Sequence, residues 1–192
     1  TIDLNPQFVR ALDLMENSPD SLFITGRAGT GKSTLLQYFK KNTQKNIVIL
    51  APTGVAAVNI GGATIHSFFQ FKPDVTLEKA WAKGGKPRKP ELYRNLDAIV
   101  IDEISMVRAD LLDCIDAFMR RVCGTIAPFG GKRVILFGDL YQLPPVVTRD
   151  DVDIFRTRYD SAFFFSADVI SRTPLTFIEL DHIYRQTDDA FI

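Results

Sequence analysis

One run of eight residues has the types and the spacing needed to hold a triphosphate: Gly26-Arg27-Ala28-Gly29-Thr30-Gly31-Lys32-Ser33. It follows the pattern G-x-x-x-x-G-K-S, in which glycines let main-chain N–H groups converge on phosphate oxygens. Lys32 would reach the β- and γ-phosphates, and the Ser33 hydroxyl would hold Mg²⁺. The predicted nucleotide-binding residues of this loop are Gly26, Ala28, Gly29, Thr30, Gly31, Lys32, Ser33 and Thr34.

The flanking sequence supports a phosphate site. Residues 21–25 are mostly apolar and predict a short buried strand, and residues 34–41 predict a helix. A helix that begins at the loop adds unpaired N–H donors and the positive end of its dipole. A glycine-rich turn that binds nothing is the alternative, and the complete pattern in this context argues against it.

A second group of chemical residues follows the apolar run at 98–101. Asp102 and Glu103 come directly after this predicted strand. Asp102 can bind Mg²⁺ through water, and Glu103 can orient and deprotonate an attacking water. Carboxylates at the end of a buried strand need partners, so a purely structural explanation is weak.

Two further polar residues follow predicted strands. Gln142 comes after the apolar run at 133–138, in a turn stiffened by two prolines, where an amide can sense the γ-phosphate. Arg185 follows the predicted strand at 175–180 and can stabilise charge on the transferred phosphoryl group. An ordinary proline turn and a surface arginine are the alternatives.

The first predicted helix begins at Asn5, a good N-cap, with Pro6 in its first turn. Gln7 lies in that turn, and a glutamine amide can pair with the amino group and a ring nitrogen of adenine. A solvent-facing glutamine is the alternative.

The residues that follow the predicted strand at 47–51 could bind single-stranded nucleic acid. Thr64 is predicted to be a helix N-cap, because it is a hydroxyl residue before an apolar turn, and His66, Phe68 and Phe69 follow it. Aromatic, histidine and hydroxyl side chains are those that stack bases and hold phosphates. A structural turn is the alternative, and we expect at least one of the two phenylalanines to lie in the core.

These elements predict one doubly wound α/β domain over residues 1–192, with a mostly parallel sheet. Residues 161–165 predict an additional strand. A helix of about fifteen residues should follow Val107, because apolar residues recur at helical spacing. Its apolar face contains Val107, Leu111, Ile115, Phe118, Met119 and Val122, and its opposite face contains Arg108, Asp110, Asp113 and Arg120.

Residues 72–91 differ in character from the rest of the chain. They contain a short helical segment around Trp81, then a run rich in lysine, glycine and proline. This composition predicts a flexible, locally basic insertion. It is either a solvated loop or a small element that touches nucleic acid, with Trp81 as its anchor.

Composition excludes some classes of protein. The chain has 192 residues, 46% of them hydrophobic, and no apolar run approaches the ~18 residues of a membrane span. The 23 basic and 23 acidic residues balance, so any contact with nucleic acid must be local or made by stacking. Cys114 and Cys123 lack metal-like spacing and are expected to be reduced. These features favour an intracellular protein, cytoplasmic if bacterial and nuclear or mitochondrial if eukaryotic.

Together, the motifs resemble those of superfamily 1 helicases, and most of all the PIF (petite integration frequency) family of 5′-to-3′ DNA helicases. The residues that carry the resemblance are Gln7, the phosphate loop, residues 52–57, 102–106, 138–145 and 184–186. The segment 103–122 is similar to the signature segment of that family. The resemblance implies a RecA-like fold with ATP and Mg²⁺ as cofactors, and roles in DNA repair, recombination and telomere maintenance.

The resemblance also implies roles for individual positions. Gln7 would bind adenine, while Gln142 and Arg185 would contact the γ-phosphate. Lys32 and Ser33 would bind phosphate and metal, Asp102 would serve the metal, and Glu103 the water. The residues expected along the path of single-stranded DNA are Thr53, Gly54, Val55, His66, Ser67 and Phe68. Residues 72–91 occupy the position of a small wedge element in that family.

Helicases of this type use a second RecA-like domain, and this chain stops at Ile192, where that domain would begin. We therefore expect a monomeric half-motor that binds ATP and single-stranded DNA, acts at duplex/single-strand junctions in the complete protein, and has weak or no unwinding activity alone. Two other hypotheses remain open: a P-loop kinase for a small metabolite, and a nucleotide-gated binding module without useful turnover.

Overall fold

The computed structural model describes residues 5–142, 144–147, 155 and 157–182, and its centre is a parallel β-sheet. The strands of this six-stranded sheet are β1 (Ser21–Gly26), β2 (Ile47–Ala51), β3 (Ala63–Thr64), β4 (Ala98–Ile101), β5 (Arg133–Gly138) and β6 (Leu175–Leu180). Their order is β3-β2-β4-β5-β1-β6, and each pairing within the sheet is parallel. The predicted doubly wound α/β fold and its five main strands are confirmed.

Helices cover both faces of the sheet. They are α1 (Pro6–Asn17), α2 (Lys32–Asn42), α3 (Gly54–Ile60), α4 (Ile65–Phe69), α5 (Leu77–Gly84), α6 (Pro90–Arg94), α7 (Ala109–Cys123) and α8 (Asp168–Ser171), with 3₁₀ turns at Ile104–Met106, Pro128–Gly131 and Phe164–Ser166. No helix within the described ranges is both long enough and apolar enough to cross a lipid bilayer.

Alternation along the buried strands divides the core in two. In β1, Leu22 and Ile24 face a cluster that includes α1 and α2, whereas Phe23 faces a cluster built around α7. This is the pattern expected of strands whose two faces are both covered, since side chains alternate along a strand. The sheet is therefore fixed from both sides, and its strand ends are held at defined positions.

The first helix has the predicted cap. The Asn5 side chain accepts a hydrogen bond from the Phe8 N–H at 2.8 Å, and Pro6 lies in the first turn. At the other end, the Arg133 guanidinium donates to the carbonyls of Met15 at 2.6 Å and Leu14 at 2.5 Å. These bonds add to the C-terminal cap, in which the Ser18 N–H donates to the Leu14 carbonyl at 3.1 Å, and they tie α1 to β5.

Helix α7 has the predicted length, and both cysteines lie on it as free thiols. The pattern that places Asp113 on the polar face of α7 does not predict its burial, yet this residue is only 4% exposed. Its carboxylate accepts hydrogen bonds from the Tyr159 hydroxyl at 2.9 Å and from the main-chain N–H groups of Asp168 and Val169 at 3.1 and 2.9 Å. Burial raises the pKa of Asp113.

A second carboxylate on α7, that of Asp116, is also buried. It accepts from the Phe129 N–H at 2.7 Å and forms ion pairs with Arg120 at 3.1 Å and Arg172 at 3.2 Å. Asp113 and Asp116 therefore join α7 to separate stretches of chain through buried, charge-assisted hydrogen bonds.

The additional strand predicted at residues 161–165 is wrong. Phe163 forms one isolated antiparallel bridge with Arg108, and Phe164–Ser166 is a 3₁₀ turn. Both edges of β1, the strand beneath this segment, already pair with β5 and β6. Phe164 is instead buried by edge-to-face packing on Phe23, with ring centroids 5.2 Å apart. A short apolar run does not by itself distinguish these outcomes.

The insertion at residues 72–91 contains α5 and the start of α6. The helical segment around Trp81 is confirmed, and α5 packs closely on α7: a Cβ on Gly84 would lie 2.6 Å from the Phe118 carbonyl oxygen. The half-exposed Trp81 ring lies beside the guanidinium groups of Arg120 and Arg121, at 5.9 and 5.3 Å. These are cation–π contacts, and they hold the insertion against α7.

Candidate functional site

The predicted site residues lie where the parallel strands end. Because every strand of the sheet runs in the same direction, the loops after β1, β2, β4 and β5 emerge at one edge. The phosphate loop follows β1, and Asp102 and Glu103 follow β4. The β4 tip lies between the ends of β2 and β5, because β4 pairs with both strands.

The phosphate loop has the backbone conformation that its glycines predict. Gly29 and Gly31 have φ angles of 81° and 84°, which residues other than glycine rarely adopt. Helix α2 starts at Lys32 with Gly31 as its N-cap, and no side chain caps it. Its first N–H groups are thus oriented as donors for an anion. At the loop's start, a Cβ on Gly26 would lie 2.5 Å from the Leu180 carbonyl oxygen.

The side chains of Lys32 and Thr30 donate hydrogen bonds to main-chain carbonyls of the same loop. The Lys32 ammonium donates to the carbonyls of Gly26 at 2.5 Å and Arg27 at 3.1 Å. Thr30 is 2% exposed, and its hydroxyl donates to the Arg27 carbonyl at 2.8 Å. The Thr30 side chain thus stabilises the loop. The exposed residues of the predicted set are Ala28, Gly29, Ser33 and Thr34.

Asp102 is a buried carboxylate, only 6% exposed. The pKa of Asp102 is raised to about 6, chiefly by burial and also by the neighbouring Glu103 charge, while the hydrogen bond from the Glu103 N–H and the Lys32 charge oppose the rise. The Glu103 N–H donates to the Asp102 carboxylate at 3.0 Å. The influence of Lys32 on the pKa of Asp102 places the loop lysine and the acid in one electrostatic environment.

Glu103 has a strained backbone. Its φ and ψ angles of 53° and 42° are left-handed, an uncommon conformation for a residue with a Cβ. Such conformations persist where the surrounding fold enforces them, and they are found at functional sites. Here the conformation turns the chain from β4 into the Ile104–Met106 turn and leaves the Glu103 side chain at the surface of a cleft.

That cleft has a volume of about 760 Å³ and brings together residues that the sequence placed in separate groups. Glu103 and Gln142 come from the predicted catalytic group, and Thr53 and Val55 from the predicted DNA path. Its lining residues that the sequence analysis did not select are Ala56, Asn59, Met106, Tyr141 and Pro144. The 86% exposure of Tyr141 was not foreseeable from the motif, although its position beside Gln142 could have drawn attention to it.

The DNA-path residues after β2 lie at the start of α3. Thr53 is the N-cap of this helix, with its hydroxyl accepting from the Ala56 N–H at 3.2 Å. Gly54 has open space where a Cβ would be, and Val55 is 76% exposed. The first turn of α3 is thus an accessible, weakly polar surface beside Glu103.

The DNA-path residues after β3 are not part of the cleft lining. Thr64 caps α4 as predicted, its hydroxyl accepting from the Ser67 N–H at 3.1 Å. His66 is half-buried, and burial and the Arg108 charge lower its pKa. Phe68 is also half-buried and packs edge-to-face on Phe69, which is fully buried. The expectation that one of the two phenylalanines lies in the core is confirmed for Phe69.

Gln7 lies at the same edge of the sheet as the phosphate loop, because β6 pairs with β1 and Leu180 lies opposite Gly26. The Gln7 side-chain oxygen accepts a hydrogen bond from the Asp181 N–H at 3.3 Å, which places Gln7 beside the end of β6. Arg185 lies outside the described residues.

The oxygen ligands proposed for Mg²⁺ suit that ion. A buried carboxylate such as Asp102 gains from a nearby cation, which offsets the cost of burying its charge. A hydroxyl, a carboxylate and substrate phosphates are the oxygen ligands that Mg²⁺ uses, with several retained waters. No cluster of three or more histidine, cysteine or acidic residues that could hold a metal occurs among the residues described.

Comparison with known proteins gives consistent matches over almost the whole chain. The family model of PIF1-like helicases matches residues 8–189. ATP-dependent DNA helicase PIF1 of Mus musculus is 38% identical over 174 residues, which are 90% of this chain and 26% of the relative. ATP-dependent DNA helicase Pif1 of Bdellovibrio bacteriovorus is 41% identical over 151 residues, 76% of this chain and 34% of the relative.

Solved structures of Pif1 helicases also match almost the whole chain. A Bacteroides Pif1 helicase in complex with ADP-AlF3 and single-stranded DNA superposes with a TM-score of 0.86 at 39% identity, covering 98% of this chain and 44% of that one. The Candida albicans Pif1 helicase superposes with a TM-score of 0.81 at 35% identity, covering 98% of this chain and 42% of that one. The chain thus spans about a quarter to a third of the length of these two sequence relatives and less than half of each of these structures.

Proposed function

Since this chain belongs to the PIF1-like helicase family, we propose that it is the ATP- and single-strand-binding motor part of a 5′-to-3′ DNA helicase. In this proposal the complete protein contains a second RecA-like domain, hydrolyses ATP and acts at duplex/single-strand junctions inside the cell. The polarity is proposed from family resemblance. The relatives are helicases, so a small-molecule kinase has no support from the comparisons.

The shared cleft is the observation that carries the proposal. Glu103 and Gln142, proposed to act on the γ-phosphate and its attacking water, line the same space as Thr53 and Val55, proposed to contact DNA. In this proposal, a change at the γ-phosphate would occur within side-chain reach of the bound DNA strand. Coupling between two ligands requires that each favours one arrangement of a shared element, and this cleft provides one.

In the nucleotide half, main-chain donors at Gly29–Lys32 would hold the phosphates, and Lys32 would exchange its carbonyl partners for phosphate oxygens. Ser33 and Asp102 would hold Mg²⁺, which neutralises charge on the phosphates and positions them. Glu103 would hold and deprotonate the attacking water. Gln7, Gln142 and Arg185 keep their proposed contacts with the base and the γ-phosphate.

In the DNA half, the path would run from the cleft along the starts of α3 and α4, past Thr53, Gly54, Val55, His66 and Ser67. The balanced charge of the chain favours contacts through helix N-termini, hydroxyls and stacking over bulk attraction. We therefore expect binding that weakens only gradually with salt. Phe68 would act mainly by supporting this surface, because it is half-buried against Phe69.

The test is a titration of a fluorescent single-stranded oligonucleotide with this 192-residue chain, with and without Mg²⁺ and a non-hydrolysable ATP analogue. We expect the oligonucleotide affinity to change when the analogue is present. Lys32→Ala should abolish that change while preserving the affinity measured without nucleotide, whereas Val55→Asp should weaken DNA binding in both conditions.

Two results would contradict the proposal. One is an oligonucleotide affinity that the analogue does not alter although the analogue binds, which would separate the two halves of the cleft. The other is DNA binding by the wild type that Val55→Asp leaves unchanged.

A further inference from the structure

The turn between β4 and α7 contains a buried hydroxyl that has no hydrogen-bond partner among the described residues. Ser105 is 1% exposed, and its Oγ makes no hydrogen bond there. Buried polar side chains are nearly always paired, and an unpaired one lowers the stability of the fold. Where such a group persists, a functional arrangement in which it gains a partner is a physical explanation.

Ser105 lies between two parts of the site. It is in the Ile104–Met106 turn, two residues after the strained Glu103. On its other side is Gly138, the last residue of β5, where a Cβ would lie 2.7 Å from Ile104 Cγ2 and 3.3 Å from the Ser105 nitrogen. The β4 turn and the β5 end are therefore in direct contact, and neither can shift without displacing the other.

The segment after β5 carries the proposed γ-phosphate sensor. Asp139 is buried, and its carboxylate accepts from the Tyr141 N–H at 3.0 Å. The Gln142 N–H donates to the Asp139 carbonyl at 3.1 Å. Gln142 therefore lies at the tip of a compact turn that begins one residue beyond the contact with Ser105.

We propose that Ser105 is a positioning residue: its hydroxyl forms a hydrogen bond with the segment Gly138–Asp139 only when a γ-phosphate occupies the site, and so links the orientation of Glu103 to the position of Gln142. This inference rests on the proposed nucleotide-binding function. It assigns to Ser105 no contact with substrate, only the relative placement of the two residues that make such contacts.

The experiment compares Ser105→Ala with the wild-type chain in two measurements. The first is thermal unfolding without nucleotide, where we expect an equal or higher melting temperature, because the substitution removes an unpaired buried hydroxyl. The second is binding of a non-hydrolysable ATP analogue and of ADP. We expect about a fivefold loss of affinity for the analogue, the factor that one ordinary hydrogen bond supplies, with ADP affinity unchanged.

The matched control is Ser161→Ala. The Ser161 hydroxyl has a partner in the resting fold, the Ser166 hydroxyl at 2.6 Å. Its loss should lower the melting temperature and leave the ratio of analogue to ADP affinity as in the wild type. Ser105→Cys, whose thiol donates only weakly, should behave like Ser105→Ala in the binding measurement.

Either of two results overturns the inference. A lower melting temperature of Ser105→Ala without nucleotide would mean that the hydroxyl already stabilises the resting fold. An unchanged ratio of analogue to ADP affinity would mean that it does not respond to the γ-phosphate. Failure of the wild type to bind the analogue is a different result, since it would contradict the proposed function itself.

Discussion

Asp102→Asn should stabilise the chain in the absence of metal while abolishing its response to Mg²⁺ and nucleotide. The Asp102 carboxyl is buried, and its pKa is raised from 3.8 to about 6. Between about pH 4 and pH 6, Asp102 is therefore protonated in the folded protein and ionised in the unfolded chain. Stability attributable to this group falls as the pH rises through that window, because the folded state binds more protons there.

The size of the effect follows from the two pKa values. The difference between 3.8 and about 6 corresponds to roughly 3 kcal/mol once the pH exceeds the folded-state pKa. An asparagine removes the charge and can still accept the hydrogen bond that the Glu103 N–H donates. Asp102→Asn should therefore gain up to about 3 kcal/mol at pH 7.5, or roughly 6 to 12 °C in melting temperature for a chain of this size.

The assay is urea unfolding of the variant and the wild type at a series of pH values between 4 and 8, with a chelator present. The difference between their unfolding free energies should be small at pH 4 and should grow through pH 6. It should shrink when Mg²⁺ and the ATP analogue are added, since these stabilise only the wild type. The control, Asp97→Asn, changes an exposed carboxylate before β4 that accepts from the Asn46 N–H and should show no such growth.

A difference between Asp102→Asn and the wild type that does not vary with pH would refute this reasoning, because the cost of burying the charge would then be absent. A variant that retains the wild-type stabilisation by Mg²⁺ and the analogue would remove Asp102 from the metal site.

Three more predictions concern hydrolysis and folding. In the complete motor, Glu103→Gln should abolish steady-state ATP turnover and preserve nucleotide affinity; persistent turnover would exclude Glu103 as the base. Asp113→Ala should lower the urea-unfolding free energy by about 3–5 kcal/mol, because it leaves the Tyr159 hydroxyl and two N–H groups without their acceptor; a loss below 1 kcal/mol would contradict the structure. Gly26→Ala should lower the melting temperature and weaken analogue binding together, since its Cβ would meet the Leu180 carbonyl at 2.5 Å; wild-type behaviour in both assays would show that the loop tolerates a side chain.

The parts of the fold that the sequence predicted are those encoded by local signals. The apolar strand β4 is bounded by charged residues, and the loop at Gly26–Ser33 places glycines where positive φ angles occur. Helix caps such as Asn5 and Thr64 depend on hydrogen bonds that span three residues. Strand, loop and cap could therefore be predicted from neighbouring residues alone.

The errors arose where distant parts of the chain decide the outcome. The helical pattern places Asp113 on the face opposite the apolar residues but does not indicate its burial, because its partners Tyr159 and Val169 lie 46 and 56 residues further along the chain. The run around Phe164 was assigned to a strand because its apolar character is short and ambiguous, and only the pairing of β1 on both edges excludes it. The shared cleft likewise depends on the strand order, which no single motif contains.

The two buried carboxylates of α7 restrict how this helix can move. The Asp113 carboxylate accepts from the Tyr159 hydroxyl, and the Asp116 carboxylate accepts from the Phe129 N–H and pairs with Arg172. Rotation of α7 about its own axis would therefore break charge-assisted hydrogen bonds to both groups of partners. The helix has fifteen residues and is about 22 Å long. A displacement of α7 would have to carry these bonded segments with it, and also Trp81, whose ring lies beside Arg120 and Arg121 in the last turn.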